Sequence, residues 1–187
     1  MPKTWIEAAL NGPWSRKRQP GIPDTVDAIV ADGIACAAVG ACIIHVHAYD
    51  GGGPQTFDWQ VYARIIEGIR ARIDVPVYPS IPSAGIGVGP LPDDAVTRFA
   101  HVEALAARGL IEFAVIDPGS VNFTEISAGA ETPAALTYLN PEAHVPMRSA
   151  SPSVTASIRP MRSTSRASRA PAPPLRGRWA RRRRSTG

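Results

Sequence analysis

From Pro146 to Gly187 the sequence has no acidic residue, no lysine and no histidine; its only charges are eleven arginines. The first 145 residues hold nine basic residues against sixteen acidic ones, seven net negative charges, so the pI of about 9.5 belongs wholly to the tail. Cysteine is scarce: Cys36 and Cys42 make no disulfide framework. The opening MPKTWIEAALNG lacks the basic segment and apolar stretch of a secretory signal, and a reducing cytoplasm is the expected location. No apolar run approaches the roughly 18 to 20 residues needed to cross a bilayer. A glycine-rich phosphate fingerprint is also missing after the first apolar run, where NGPWSRKRQPG stands.

What is present is an alternation of short apolar runs with longer periodic ones. TVDAIVADGIACAAVG, WQVYARIIEGIRARI and DDAVTRFAHVEALAARG repeat apolar residues at three and four spacings, as in Val61, Ile65, Ile66 and Ile69, or Val96, Phe99, Val102 and Leu105. These are predicted amphipathic helices. Asp24 and Asp93 are expected helix starts, and Gly40 and Gly109 expected helix ends. Between them, TWIEAAL, ACIIHVH, VPVYPS and IEFAVID are short and apolar on both parities, as parallel strands covered on both faces would be. The order β-α-β-α-β-α-β suits half of a doubly wound sheet or half of a (β/α)8 barrel. Either fold gathers ligand chemistry at the carboxyl ends of its strands. The polar residues of the body collect there: Asn11 after the first strand, His45, His47 and Asp50 after the second, Ser80 and Ser83 after the third, Asp117, Ser120 and Asn122 after the fourth.

In GACIIHVHAYDGGG, His45 and His47 are two apart. On a strand, such residues share a face, so the two imidazoles can reach one ion. Zinc accepts histidine nitrogens, and a catalytic site needs about three protein ligands with one position open. The alternative is a pair of core histidines satisfied by backbone carbonyls; the strand-end setting beside other polar residues favours metal. Asp50 is expected to orient a ligand or shape the loop. His101, within a helix beside Ala and Glu, is expected at the surface.

The stretch GACIIHVHAYDGGGPQTFDWQVYARIIEGIR resembles the zinc-binding segment of the beta-keto acid cleavage enzyme family. AALNG, PSIPSAG and IDPGSVNF fall in the order and spacing of that family, and the resemblance covers about residues 4 to 142. It implies a (β/α)8 barrel with Zn2+ on His45 and His47, and substrate bound by Ser80 and Ser120, with Asn11, Gly119 and Asn122 shaping the pocket rim. The catalytic base is left unassigned. The implied reaction is a retro-Claisen exchange in which a small-molecule beta-keto acid and acetyl-CoA, as co-substrate, give acetoacetate and a new acyl-CoA. A homo-oligomer is implied for the full-length family form. Two departures stand out. The family commonly has an acidic residue where this chain has Pro13 and Trp14, and often an arginine where it has Tyr49. An aromatic in place of a carboxylate disfavours an amine-bearing substrate. The family's remaining zinc ligand, a glutamate beside an aspartate on a late strand, has no counterpart in this sequence.

The domain reading is therefore residues 1–145 as the N-terminal part of a barrel, an incomplete one of about four βα units, followed by a tail, 146–187, that is too polar and aperiodic to build a core. The tail reads either as a basic arm, binding nucleic acid only nonspecifically, or as an out-of-frame stretch. Shifting the frame by one base permits a phrase containing the strand-like HAIYEPGF, which resembles the family's next βα segment. On the out-of-frame reading this copy is truncated and impaired. A metal-dependent hydrolase barrel is the other enzymatic reading, but it normally places His-x-His on its first strand and adds further histidines, of which only His101 and His144 remain here.

Overall fold

The computed structural model describes residues 4–13, 19–49, 51, 53–82, 91–115, 117, 119–125 and 134–144. Asp50, Ser83, Trp14 and the tail from 146 onward lie outside them.

Three parallel strands form the sheet: β1 (Glu7–Ala9), β2 (Ile43–Val46) and, later in the chain, β5 (Val77–Pro79), in the order β1-β2-β5. The register sets Ala9 beside His45 and His45 beside Tyr78. Helix α1 (Val26–Ala38) joins β1 to β2 and α2 (Trp59–Arg70) leads from β2 to β5; α3 (Ala95–Ala107) follows. Both crossovers step the same way across the sheet, so right-handed connections put α1 and α2 on one face. Alternation then sorts the side chains. Ile44, Val46 and Val77 join Ile29, Ile65, Ile66 and Ile69 in the core, while His45 and Tyr78, on the other parity, take the opposite face.

Each helix has a local reason to start. Thr25 Oγ1 accepts from Ala28 N (3.2 Å), Asp58 Oδ1 from Gln60 N (2.8 Å) and Asp94 Oδ1 from Thr97 N (2.7 Å). The caps of α1 and α3 thus lie one residue beyond the expected Asp24 and Asp93, where a side-chain oxygen can reach the third amide of the helix. Gly40 and Gly109 do follow the helix ends, at φ of +119° and +68°, a region that glycine enters without a Cβ penalty.

The interface of α1 with α2 depends on two missing side chains. A Cβ on Gly33 would meet Ile69 Cδ1 at 2.5 Å, and one on Gly68 would meet Val30 Cγ2 at 2.8 Å. Ile69 is fully buried, and the Cβ on Gly33 would also meet Ile69 Cγ1 at 3.0 Å and Leu10 Cδ1 at 3.3 Å. Gly33→Val is expected to destabilise the fold by about 1–3 kcal/mol through overpacking, read as a lower urea midpoint at unchanged m-value.

Two expectations are corrected. IEFAVID, expected as a fourth strand, has no ladder over its described residues. Ile111 is buried, the Phe113 ring lies 5.1 Å from that of Tyr78, and Glu112 pairs with Arg70 at the end of α2. The described part of the segment lies alongside β5 through side chains, without backbone pairing. Beyond it, β6 (Val121–Glu125) and β7 (Ala134–Tyr138) form an antiparallel hairpin that alternation had not indicated, and a short 3-10 turn, Glu142–His144, follows. The second correction is Val96, which is 64% exposed although Phe99, Val102 and Leu105 are buried. Nine residues separate Val96 from Leu105, about two and a half turns, so the two lie on opposite sides of α3. Among the described residues no helix is long and apolar enough to cross a membrane.

Candidate metal centre

His45 is the last residue of its strand paired on both sides, with Ala9 of β1 and Tyr78 of β5, and Val46 pairs on with Pro79; His47 lies just past β2, before the two-residue strand β3 (Ala48–Tyr49), which pairs antiparallel with β4 (Gln55–Thr56). The alternation of buried Ile44, Val46 and Ala48 with partly exposed His45 and His47 keeps both imidazoles on one face, their centroids 5.1 Å apart and nearly perpendicular. His45 also packs on the Tyr78 ring, centroid to centroid 4.6 Å. Tyr78 Oη donates to Glu7 Oε1 at 2.7 Å, which fixes that ring beneath His45.

Burial pushes His45 down to about 4, with the Tyr78 backbone opposing. Burial also takes His47 to about 4, helped by charge repulsion from His45 and opposed by a hydrogen bond to Gln55. Both rings are therefore neutral at pH 7, the form that ligates metal. The Nδ1 atoms of both rings are buried and have no hydrogen-bond partner among the described residues. Such a nitrogen costs about 1–3 kcal/mol while unsatisfied, and a bound cation would remove that cost. Two neutral imidazoles with open nitrogens on one face fit zinc as two of its donors. Among the described residues no group of three or more His, Cys, Asp or Glu side chains could hold a metal ion, so a further ligand is not one of them.

Ser80 follows β5 and is buried. Its Oγ accepts from Gln55 Nε2 (2.9 Å) and lies 3.3 Å from Tyr62 Oη. Tyr62, fully buried on α2, is pushed up to about 12 by that burial and stays protonated. Gln55, which touches both His47 and Ser80, links the histidines to the serine. Nothing in the alternation pattern marked Gln55, because it belongs to a two-residue strand in a glycine-rich loop.

His101 corrects a sequence expectation. It is 4% exposed, its Nε2 is 2.9 Å from Ser80 O, and its ring stacks on Tyr62 at 5.5 Å. The signal was available: His101 is three residues after Arg98 and four before Leu105, on the stripe that α3 buries. Arg98 is fully buried and its Nε donates to Pro82 O at 2.9 Å. Together Arg98 and His101 brace the Ser80–Pro82 segment from behind. His144 is spent elsewhere, its Nε2 3.3 Å from Asp93 O, so neither remaining histidine joins the His45–His47 pair.

Asn11 lies beside the pair, but its amide is engaged with backbone. Oδ1 accepts from His47 N at 2.8 Å, and Nδ2 donates to His47 O and Pro23 O, each at 3.0 Å. Ser120 Oγ accepts from Asn140 N at 2.8 Å, which ties it to the chain after β7 rather than to the Gln55–Ser80 network. Gly119 precedes it at φ +85°. Asn122 is in β6 opposite Thr137; its side chain lies outside what is described. Tyr49, at one departure from the family pattern, is buried and donates to Gly12 O.

Residues 3–163 match the model of a protein family described as beta-keto acid cleavage enzyme. The chain is also 32% identical over 126 residues to the 3-keto-5-aminohexanoate cleavage enzyme of Fusobacterium nucleatum subsp. nucleatum. That alignment covers 66% of this chain and 42% of the relative, so the chain spans less than half the length of that protein.

Proposed function

The chain belongs to the beta-keto acid cleavage enzyme family, and on that premise we propose that it carries the opening strands of a (β/α)8 barrel and two zinc ligands of a retro-Claisen enzyme. In the proposed exchange the bond between the keto carbon and the CH2 of a beta-keto acid breaks. The CH2–carboxylate unit bonds to the acetyl carbonyl carbon of acetyl-CoA, and the CoA sulfur passes to the departing acyl group. Acetoacetate and a new acyl-CoA result, with no oxidant or reductant consumed.

Zinc, when bound, supplies Lewis acidity to the keto and carboxylate oxygens of the substrate. His45 and His47 hold it as neutral donors. Ser80 binds the substrate carboxylate: Gln55 Nε2 donates to its Oγ, and of the two directions open to the Tyr62–Ser80 contact we propose the one in which the phenol donates, so that the serine proton is left to donate to substrate. Tyr62 serves that arrangement because burial keeps its phenol protonated. Ser120 and Asn122, from the far side of the chain, are proposed as further substrate contacts. The observation that carries the reading is the pair of buried, unpartnered Nδ1 atoms at the carboxyl end of a parallel strand.

Incubation with zinc, acetyl-CoA and a panel of beta-keto acids, following acetoacetate, tests the proposal. Zinc-dependent acetoacetate formation is expected of a version with the reading frame restored after His144 and not of the 187-residue chain; its absence from the restored version with every keto acid would contradict the assignment. Substrate preference gives a further expectation. Pro13 occupies the place of a family carboxylate, and the buried Tyr49 phenol is held on Gly12 O. Keto acids with uncharged side chains should therefore exceed the 5-amino compound in kcat/KM, by about tenfold or more, since one lost charge-assisted hydrogen bond is worth roughly 1.5–3 kcal/mol. Equal or better turnover of the amine would refute this.

For residues 146–187 we propose the shifted reading frame. The family match runs to residue 163, past the proposed frame change, and the decisive observation is the coding DNA around His144. One inserted or deleted base relative to a longer homologous gene is expected; an uninterrupted frame would make the arginine-rich segment part of the protein as encoded.

A further inference from the structure

His47 is the ligand that the sheet does not hold. The last rung between the β1 side and the second strand is Leu10 N to His45 O, at 3.1 Å. Beyond it no further backbone bond joins the two among the described residues, and regular strand structure lapses at His47 between β2 and β3. At that gap the side chain of Asn11 does what a neighbouring peptide would do. It accepts from His47 N at 2.8 Å and donates to His47 O at 3.0 Å, closing a two-point pairing with both backbone groups of one residue. The second Nδ2 proton goes to Pro23 O, also at 3.0 Å, which anchors the amide to the segment entering α1. Three of the four hydrogen bonds available to an asparagine side chain are thus made to backbone.

We infer that Asn11 is a positioning residue for the metal: it extends the strand ladder by one residue and so fixes the peptide that aims the His47 imidazole onto the face of His45. The inference rests on the zinc reading above. It gives Asn11 a different task from substrate contact, since its donors are already committed. Only an amide can fill the role. Aspartate has nearly the same shape and accepts from His47 N, but it has no donor and sets a carboxylate oxygen against the carbonyls of His47 and Pro23.

The test is titration of the purified 187-residue chain with Zn2+ and with Co2+, whose visible absorption reports ligand arrangement, alongside Asn11→Asp and the double variant His45→Ala, His47→Ala. Losing a residue that orients a ligand typically weakens metal binding 10–100-fold. Asn11→Asp is expected to fall in that range and to alter the cobalt spectrum while far-UV circular dichroism is retained. Wild-type affinity and spectrum in folded Asn11→Asp would overturn the inference. If Asn11→Asp loses its helical signal, Asn11→Ser replaces it under the same two outcomes; if both unfold, Asn11 is a general brace of the fold and the inference fails. Unchanged zinc binding in the double histidine variant would instead sink the zinc reading, and the two failures are thereby told apart.

Discussion

Replacing His45 or His47 by alanine in the frame-restored protein is expected to lower zinc-dependent acetoacetate formation about a thousandfold, the rate equivalent of roughly 4 kcal/mol of transition-state stabilisation. The effect should fall on kcat/KM, and raising zinc should not restore it, because each alanine removes a donor rather than weakening one. The folding consequence is opposite in sign. Each Nδ1 is buried without a partner, so removing an imidazole relieves an unsatisfied polar atom, and the metal-free variants should unfold at a denaturant concentration no lower than the parent's. A single histidine variant that kept a tenth or more of the parent rate would contradict the role given to the pair.

The second large effect is on stability and comes from the opposite face of the same strand. Ile44 is fully buried, its parallel neighbours are Ala8 and Val77, and its amide donates to Pro76 O at 2.9 Å. Ile44→Ala removes core volume at the centre of a three-stranded sheet, where strands on both sides limit collapse into the space. A loss of about 2–5 kcal/mol is expected, a large share of the roughly 5–15 kcal/mol typical of a domain. Equilibrium urea unfolding checks it, and a loss under 1 kcal/mol would mean that the core is not centred on β2. Zinc should restore part of the lost stability, since a ligand held only by the folded state adds stability in proportion to its concentration over Kd.

The sequence was most informative where periodicity and burial agree. Val61, Ile65, Ile66 and Ile69 were expected on one face of a helix, and all four are buried on α2. The spacing of His45 and His47 two apart on a strand was expected to set both imidazoles on one face, and their ring centroids lie 5.1 Å apart. What stayed hidden depends on tertiary placement. IEFAVID has the apolar character of a strand, yet the described part of it meets β5 through Phe113 and Tyr78 rather than through a ladder. Composition could not distinguish these outcomes, because both bury the same side chains. Gln55 became visible only once β4 had folded back on β3 and carried its amide to Ser80. Asn11 was noticed as a polar residue at a strand end, but its use on the His47 peptide depends on where the second strand loses its regular pairing. His101 was readable on the helix: Ala100 and Glu103 stand near it in sequence, while its neighbours on the helix surface are Arg98 and Leu105.

The central claim is that the one face shared by His45 and His47 binds a metal ion through both rings. Cobalt titration of the chain, compared with each single histidine variant and the double variant, measures this directly. The account expects a visible absorption band in the parent that weakens and shifts with either alanine and vanishes with both, and zinc should displace the cobalt in the parent. An identical band in the double variant, or no band in the parent at any cobalt concentration, would contradict it.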